Sequence, residues 1–137
     1  MTLKKILLVE DDPFDARLIR MSLEEIPLAN PIVCLETGEE LVQYIETHST
    51  NEVCLIILDI RMPVMTGIEA LQHLRDALQL DFRPIVVLTS SKEAHDIRLA
   101  YDLGVSAFVT KPINHQAFRE AVRILGTFWA LINERPQ

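Results

Sequence analysis

The chain has only two cysteines, no long apolar run and fewer basic than acidic residues, and each shortage removes a class of function. Cys34 and Cys54 lie inside apolar stretches, without CxxC spacing or clustered histidines. They read as small buried apolar residues, not as metal ligands or a disulfide framework. No apolar run approaches the roughly 18 residues a membrane span needs, so no membrane role is expected. Met1-Thr2-Leu3-Lys4-Lys5-Ile6 opens directly into a strand-like run without a small-residue cleavage site. No signal peptide is read there, and a cytoplasmic location is expected. Thirteen Lys and Arg stand against twenty Asp and Glu, for a net charge of −7, and no basic cluster is present. Sequence-independent affinity for nucleic acid comes from phosphate contacts, so direct DNA binding is not expected. Linkers, internal repeats and low-complexity segments are also missing.

What is there is one domain's worth of chain: 137 residues, 49% of them apolar, enough for a core without disulfides or a structural metal. Short β-branched or apolar runs occupy Lys5–Val9, Ile32–Leu35, Val53–Leu58, Pro84–Leu88 and Ala107–Thr110. Between them the apolar period changes to that of a helix. Ala16, Ile19, Leu23 and Ile26 share one face, as do Gly67, Leu71, Leu74 and Leu78. Five strands alternating with helices imply parallel pairing through right-handed crossovers. The first and third runs are nearly all apolar, as strands covered on both faces are. The expected product is an α/β domain with a five-stranded, doubly wound parallel sheet; if its order is 2-1-3-4-5, strands 1 and 3 are central neighbours. Asp12 before Pro13 reads as a helix cap and first helical position. Gly104 reads as the end of the fourth helix.

In open α/β sheets the functional crevice lies at the carboxyl ends of the strands. There the sequence places Glu10, Asp11 and Asp12 after the first strand and Asp59 after the third. Thr89, Ser90 and Ser91 follow the fourth, and Lys111 closes the fifth. With strands 1 and 3 adjacent, Glu10, Asp11 and Asp59 converge. Carboxylates so close repel strongly, and a hard divalent cation such as Mg²⁺ is the natural compensator. Lys111 adds a positive charge. The set suits phosphoryl transfer, with Asp59 as nucleophile and with the metal, Lys111 and the Thr89 hydroxyl facing the phosphoryl oxygens. Taken singly, each residue has a plainer reading: Asp59 as a turn residue, Thr89 as a helix cap, Lys111 as a solvated lysine. Jointly they fall at the same end of their own strands, which those readings leave unexplained.

Four segments carry a resemblance to a known family: Ile6-Leu7-Leu8-Val9-Glu10-Asp11-Asp12, the run Leu58-Asp59-Ile60-Arg61-Met62-Pro63-Val64-Met65-Thr66-Gly67, Val87-Leu88-Thr89-Ser90-Ser91, and Thr110-Lys111-Pro112. Thirty positions separate Asp59 from Thr89, and twenty-two separate Thr89 from Lys111. In these the chain resembles the receiver domain of bacterial two-component response regulators, from about Lys4 onward. The resemblance implies a flavodoxin-like receiver fold over 1–137 with no output domain. It implies a signalling protein that catalyses its own phosphorylation and dephosphorylation but is not otherwise an enzyme. Asp59 would accept a phosphoryl group from the phosphohistidine of a sensor histidine kinase. Asp11 would ligate Mg²⁺ directly and Glu10 through water, and Arg61 would offer its backbone carbonyl. Thr89 and Phe108 would form the conformational switch. Two rivals fit less well. The acids after the first strand would repel the phosphate of a flavin nucleotide. A haloacid-dehalogenase-type hydrolase would need an acid two positions after its nucleophile, where this chain has Arg61.

The run from Ile124 to Pro136 is similar to the tail of single-domain regulators that accompany bacterial phytochromes, a subgroup that includes dimers. A final helix over about 114–133 would carry two apolar stripes. Phe118, Val122, Leu125, Trp129 and Ile132 form one. Ala117, Ala121, Ile124, Phe128 and Leu131 form the other. Covering one side of a sheet takes a single stripe. With Trp129 expected beyond the sheet's edge, Ile124, Phe128 and Leu131 are left as the expected interface of a homodimer.

Overall fold

The computed structural model describes residues 3–82 and 84–132. Five strands, β1 (Lys5–Val9), β2 (Ile32–Leu35), β3 (Val53–Leu58), β4 (Ile85–Thr89) and β5 (Ala107–Thr110), form one sheet. All neighbouring strands are parallel, in the order β2-β1-β3-β4-β5, with β1 and β3 adjacent. The connecting helices are α1 (Pro13–Glu24), α2 (Gly38–Thr47), α3 (Gly67–Asp76) and α4 (Ala94–Asp102), and α5 (His115–Gly126) follows β5.

Strand residues alternate between two cores, as the two-residue period of a strand requires. Leu7, Val9, Ile56, Leu58 and Val87 face Leu41, Ala70, Leu71 and Leu74 of α2 and α3 and Ala100 of α4. Ile6, Leu8, Leu55, Ile57, Val86 and Leu88 face Ile19 and Leu23 of α1 and Phe118, Val122 and Leu125 of α5. The sheet is therefore covered on both sides, which is why β1 after Lys5 and all of β3 read as apolar runs.

Local chemistry fixes the helix starts. The Asp12 carboxylate accepts from the Phe14 and Asp15 N–H groups, with Pro13 next in line. Thr66 and Glu69 form a capping box at α3. Gly67 is required where it stands. A Cβ there would run into the Asp59 carbonyl oxygen and lie 2.7 Å from the Ile60 Cα. Only glycine lets α3 begin against the backbone that carries Asp59.

Four details differ from the sequence reading. β4 runs one residue later, so Thr89 is its last residue and fully buried. Cys34, on the edge strand β2, is exposed, and Cys54, the second residue of β3, is half-buried. Trp129 does not lie beyond the sheet; it packs, partly buried, on the α1–α5 core. The last helix is also not uniform. α5 gives way at Thr127 to a π-helical segment, Thr127–Ile132. Asn133 and the rest of the tail lie outside the described residues. Ile124, Phe128 and Leu131 stay 62%, 47% and 48% exposed.

Candidate functional site

The strand ends bring the acids together through the backbone. The Glu10 N–H donates to Leu35 O at 3.0 Å, and the Asp59 N–H donates to Val9 O at 3.0 Å. These bonds carry the ladder one residue past β1 and β3 and hold Glu10 and Asp59 beside each other. On the far side, the Lys111 N–H donates to Thr89 O at 2.7 Å, locking the end of β5 to β4.

Ligand oxygens of Glu10, Asp11 and Asp59 lie within 4.8 Å of one another, with Glu10 and Asp59 buried and Asp11 half-buried. An all-oxygen carboxylate set fits a hard divalent cation. The Lys111 ammonium is opposite. Its Nζ lies 2.5 Å from Glu10 Oε1, 2.9 Å from Asp15 Oδ2 and 3.0 Å from Asp59 Oδ2. The other Asp59 oxygen, Oδ1, accepts from the Arg61 N–H at 2.9 Å.

The Arg61 side chain turns away from the acids. Its guanidinium crosses to the loop after β4 and the start of α4, reaching Asp96 at 2.8 Å and Glu93 at 3.2 Å. Ser91 Oγ joins this bridge, donating to Asp96 at 2.5 Å. The Thr89 hydroxyl accepts from the Ser91 N–H at 3.4 Å. Phe108 is half-buried on β5 beside Val87, against the α2–α3–α4 core. Asp15 was missed by the sequence reading. The available signal was its position three residues after the Asp12 cap, where an acid is ordinarily explained by the helix dipole.

Burial, with the Asp59 charge second, pushes the Glu10 carboxyl up to about 8, against the pull of Lys111. Burial alone would lower the Lys111 pKa. Its hydrogen bonds to Glu10 and Asp15 and the charges of Asp59 and Glu10 outweigh that and hold the ammonium above its ordinary range. A testable pH dependence follows. Between the ordinary value of 4.5 and about 8, folded Glu10 keeps a proton that unfolded Glu10 has released. Its contribution to stability therefore falls as pH rises through that window. A divalent cation needs the carboxylate form, so stabilisation by Mg²⁺ should grow across the same window. Thermal melts with and without Mg²⁺ at about pH 5 and about pH 8 check this. A gap that widens in the native chain and stays flat in Glu10→Gln is expected; an equal gap at both pH values contradicts it.

The sequence profile of the response regulator receiver domain matches residues 6–123. The chain belongs to that family. Response regulator Rcp1 of Synechocystis sp. is 30% identical over 130 residues, covering 92% of this chain and 88% of the relative. The probable methanogenesis regulatory protein FilR2 of Methanothrix harundinacea is 31% identical over 134 residues, covering 96% and 86%. Among solved structures, the phosphorylated cyanobacterial phytochrome response regulator RcpA superimposes with a TM-score of 0.89. It is 31% identical and spans 99% of this chain and 100% of its own. The Mn²⁺-bound form of Rcp1 has a TM-score of 0.87, with 29% identity over 98% and 99% of the two chains. This receiver domain is therefore similar to phytochrome response regulators over nearly its whole length. No helix among its described residues is long and apolar enough to cross a membrane.

Proposed function

We propose that this receiver domain is a phosphorelay switch in the cytoplasm that takes a phosphoryl group onto Asp59 in a Mg²⁺-dependent reaction. One observation carries the reading. The buried Asp59 carboxylate lies among two further acids suited to a cation and a lysine ammonium at 3.0 Å. An Asp59 oxygen attacks phosphorus, the donor's P–N bond breaks, and its electron pair returns to the imidazole nitrogen. Glu10, Asp11 and Asp59 would hold the cation, which neutralises phosphoryl oxygens when bound. Lys111 presents an N–H to the same group, and the buried Thr89 hydroxyl turns from the Ser91 N–H towards it. The space Thr89 vacates lets Phe108 move inward from its half-buried position.

The proposed donor is a sensor histidine kinase. Bacterial phytochromes are the kind the relatives point to, since RcpA is a cyanobacterial phytochrome response regulator and AtBRR a bacteriophytochrome response regulator. Large apolar side chains on the site's own loops favour a protein donor. Phe14 at the start of α1, Val64 after Asp59 and Ile113 after Lys111 are all exposed, Ile113 to 96%. Val64 is held at φ 66°, a strained value for a β-branched residue. The net charge of −7 opposes direct DNA binding. We also propose that Ile124, Phe128 and Leu131 pair two copies of the chain. Incubation with acetyl phosphate tests the reading. One phosphoryl group per chain with Mg²⁺ and none with excess EDTA is expected; no uptake in Mg²⁺ would sink it.

A further inference from the structure

Lys111 has three N–H donors and no acceptor, and its Nζ meets three carboxyl groups. Two of those, Glu10 and Asp59, belong to the group that could hold a cation; the third, Asp15, does not. Asp15 is the third residue of α1, and the Cα–Cβ bonds of a helix tilt towards its N-terminus. Its carboxylate thus reaches back over the strand ends to the lysine. It is also the partner nearest solvent, with a side chain 26% exposed against 8% for Lys111, 1% for Glu10 and 5% for Asp59.

We infer that Asp15 is a positioning residue that holds the Lys111 ammonium over Asp59 for the incoming phosphoryl group. The inference rests on Asp59 being the phosphoacceptor. A cation between Glu10, Asp11 and Asp59 draws electron density from two of the lysine's three partners. Phosphorylation then turns an Asp59 oxygen into the bridging oxygen of an acyl phosphate, a weak acceptor. The N–H aimed at Asp59 passes to a phosphoryl oxygen. Asp15 is the partner that neither event engages. It keeps a long, rotatable side chain in one orientation while its other two bonds change hands. Without Asp15 the ammonium samples several orientations, and fewer of them face the phosphoryl group.

Two readouts separate this role from a general charge effect. The first is the Lys111 ammonium signal in nitrogen-15 NMR of the unphosphorylated, metal-free chain. In the native protein its protons should exchange slowly enough to be seen. In Asp15→Ala the signal should broaden or vanish, and in Asp15→Asn, which keeps an acceptor oxygen, it should persist. The second is the rate of labelling by acetyl phosphate with Mg²⁺. Asp15→Ala should lower it about tenfold, the effect of one partly exposed charge-assisted hydrogen bond, and Asp15→Asn should recover part of the loss. In a Lys111→Ala background, Asp15→Ala should change the rate no further, since the two residues act as one unit. Magnesium affinity by calorimetry should stay within about threefold of native. An unchanged NMR signal in Asp15→Ala, or an equal tenfold loss with and without Lys111, overturns the proposal. Failure of the native chain to take up phosphate would instead count against Asp59, while the NMR result would still bear on Asp15.

Discussion

Asp11→Asn should lower Mg²⁺-dependent labelling by acetyl phosphate at least about a hundredfold, since a bound cation supplies several kcal/mol of charge stabilisation in phosphoryl transfer. The same substitution should leave the metal-free fold as stable as the native one, or more so. Asp11 shares a tight group with Glu10 and Asp59, and like charges at that range repel. Removing one relieves the repulsion without opening a cavity, because Asn and Asp are nearly isosteric. Mg²⁺ binds the folded state and should raise native stability by mass action; this gain should disappear in the variant. Urea titrations with and without Mg²⁺ measure both effects. A variant clearly less stable than native without metal, yet normally labelled, would remove Asp11 from the proposed cation site.

Phe128→Glu should turn a concentration-dependent dimer into a monomer. Ile124, Phe128 and Leu131 lie on the solvent side of the C-terminal helix, while Phe118, Val122 and Leu125 of the inner stripe are buried against the sheet. Trp129 makes the surface rigid from below: it packs on the core, and its ring meets Phe128 edge-on at 4.9 Å. The π-helical winding from Thr127 shifts the side chains of the last turn relative to α5. A patch of this kind that meets its own copy forms a two-fold, self-complementary interface. A carboxylate at a buried apolar anchor should weaken self-association at least about thirtyfold, the scale of an interface hot spot. Light scattering of the native chain should give about twice 15.6 kDa and that of the variant the single mass. A native chain that is monomeric with and without a phosphoryl mimic would remove the dimer.

The sheet was legible because parallel strands buried on both faces are nearly continuous apolar runs, and Ile6–Val9 and Val53–Leu58 are such runs. Chain alternation and crossover handedness do not fix their order, since other doubly wound sheets satisfy both; the order 2-1-3-4-5 entered as a premise, which the observed sheet bears out. The convergence of Glu10, Asp11, Asp59 and Lys111 was legible because they directly follow the carboxyl ends of β1, β3 and β5, and strand ends are places that sequence marks well. Helix residues were harder. Asp15 sits where an acid is already explained by capping and the helix dipole, so its bond to Lys111 leaves no separate mark. Cys34 was misplaced because an apolar run does not say whether its strand is central or at the edge. The helical period placed Trp129 correctly on the inner stripe, but it was expected beyond the sheet's edge because the period does not say how far along the last helix the core extends. The reach of Arg61 to Asp96, thirty-five positions away, joins the loop after β3 to the first turn of α4, a contact no periodicity encodes.

The most direct measurement is the location of the phosphoryl group. The native chain, labelled with acetyl phosphate and Mg²⁺, is digested and mapped by tandem mass spectrometry, with Asp59→Asn treated in parallel. A single adduct on Asp59, absent from the variant, is predicted. An adduct on Asp11, Asp12 or a residue outside the strand ends, or full labelling of Asp59→Asn, would contradict the assignment.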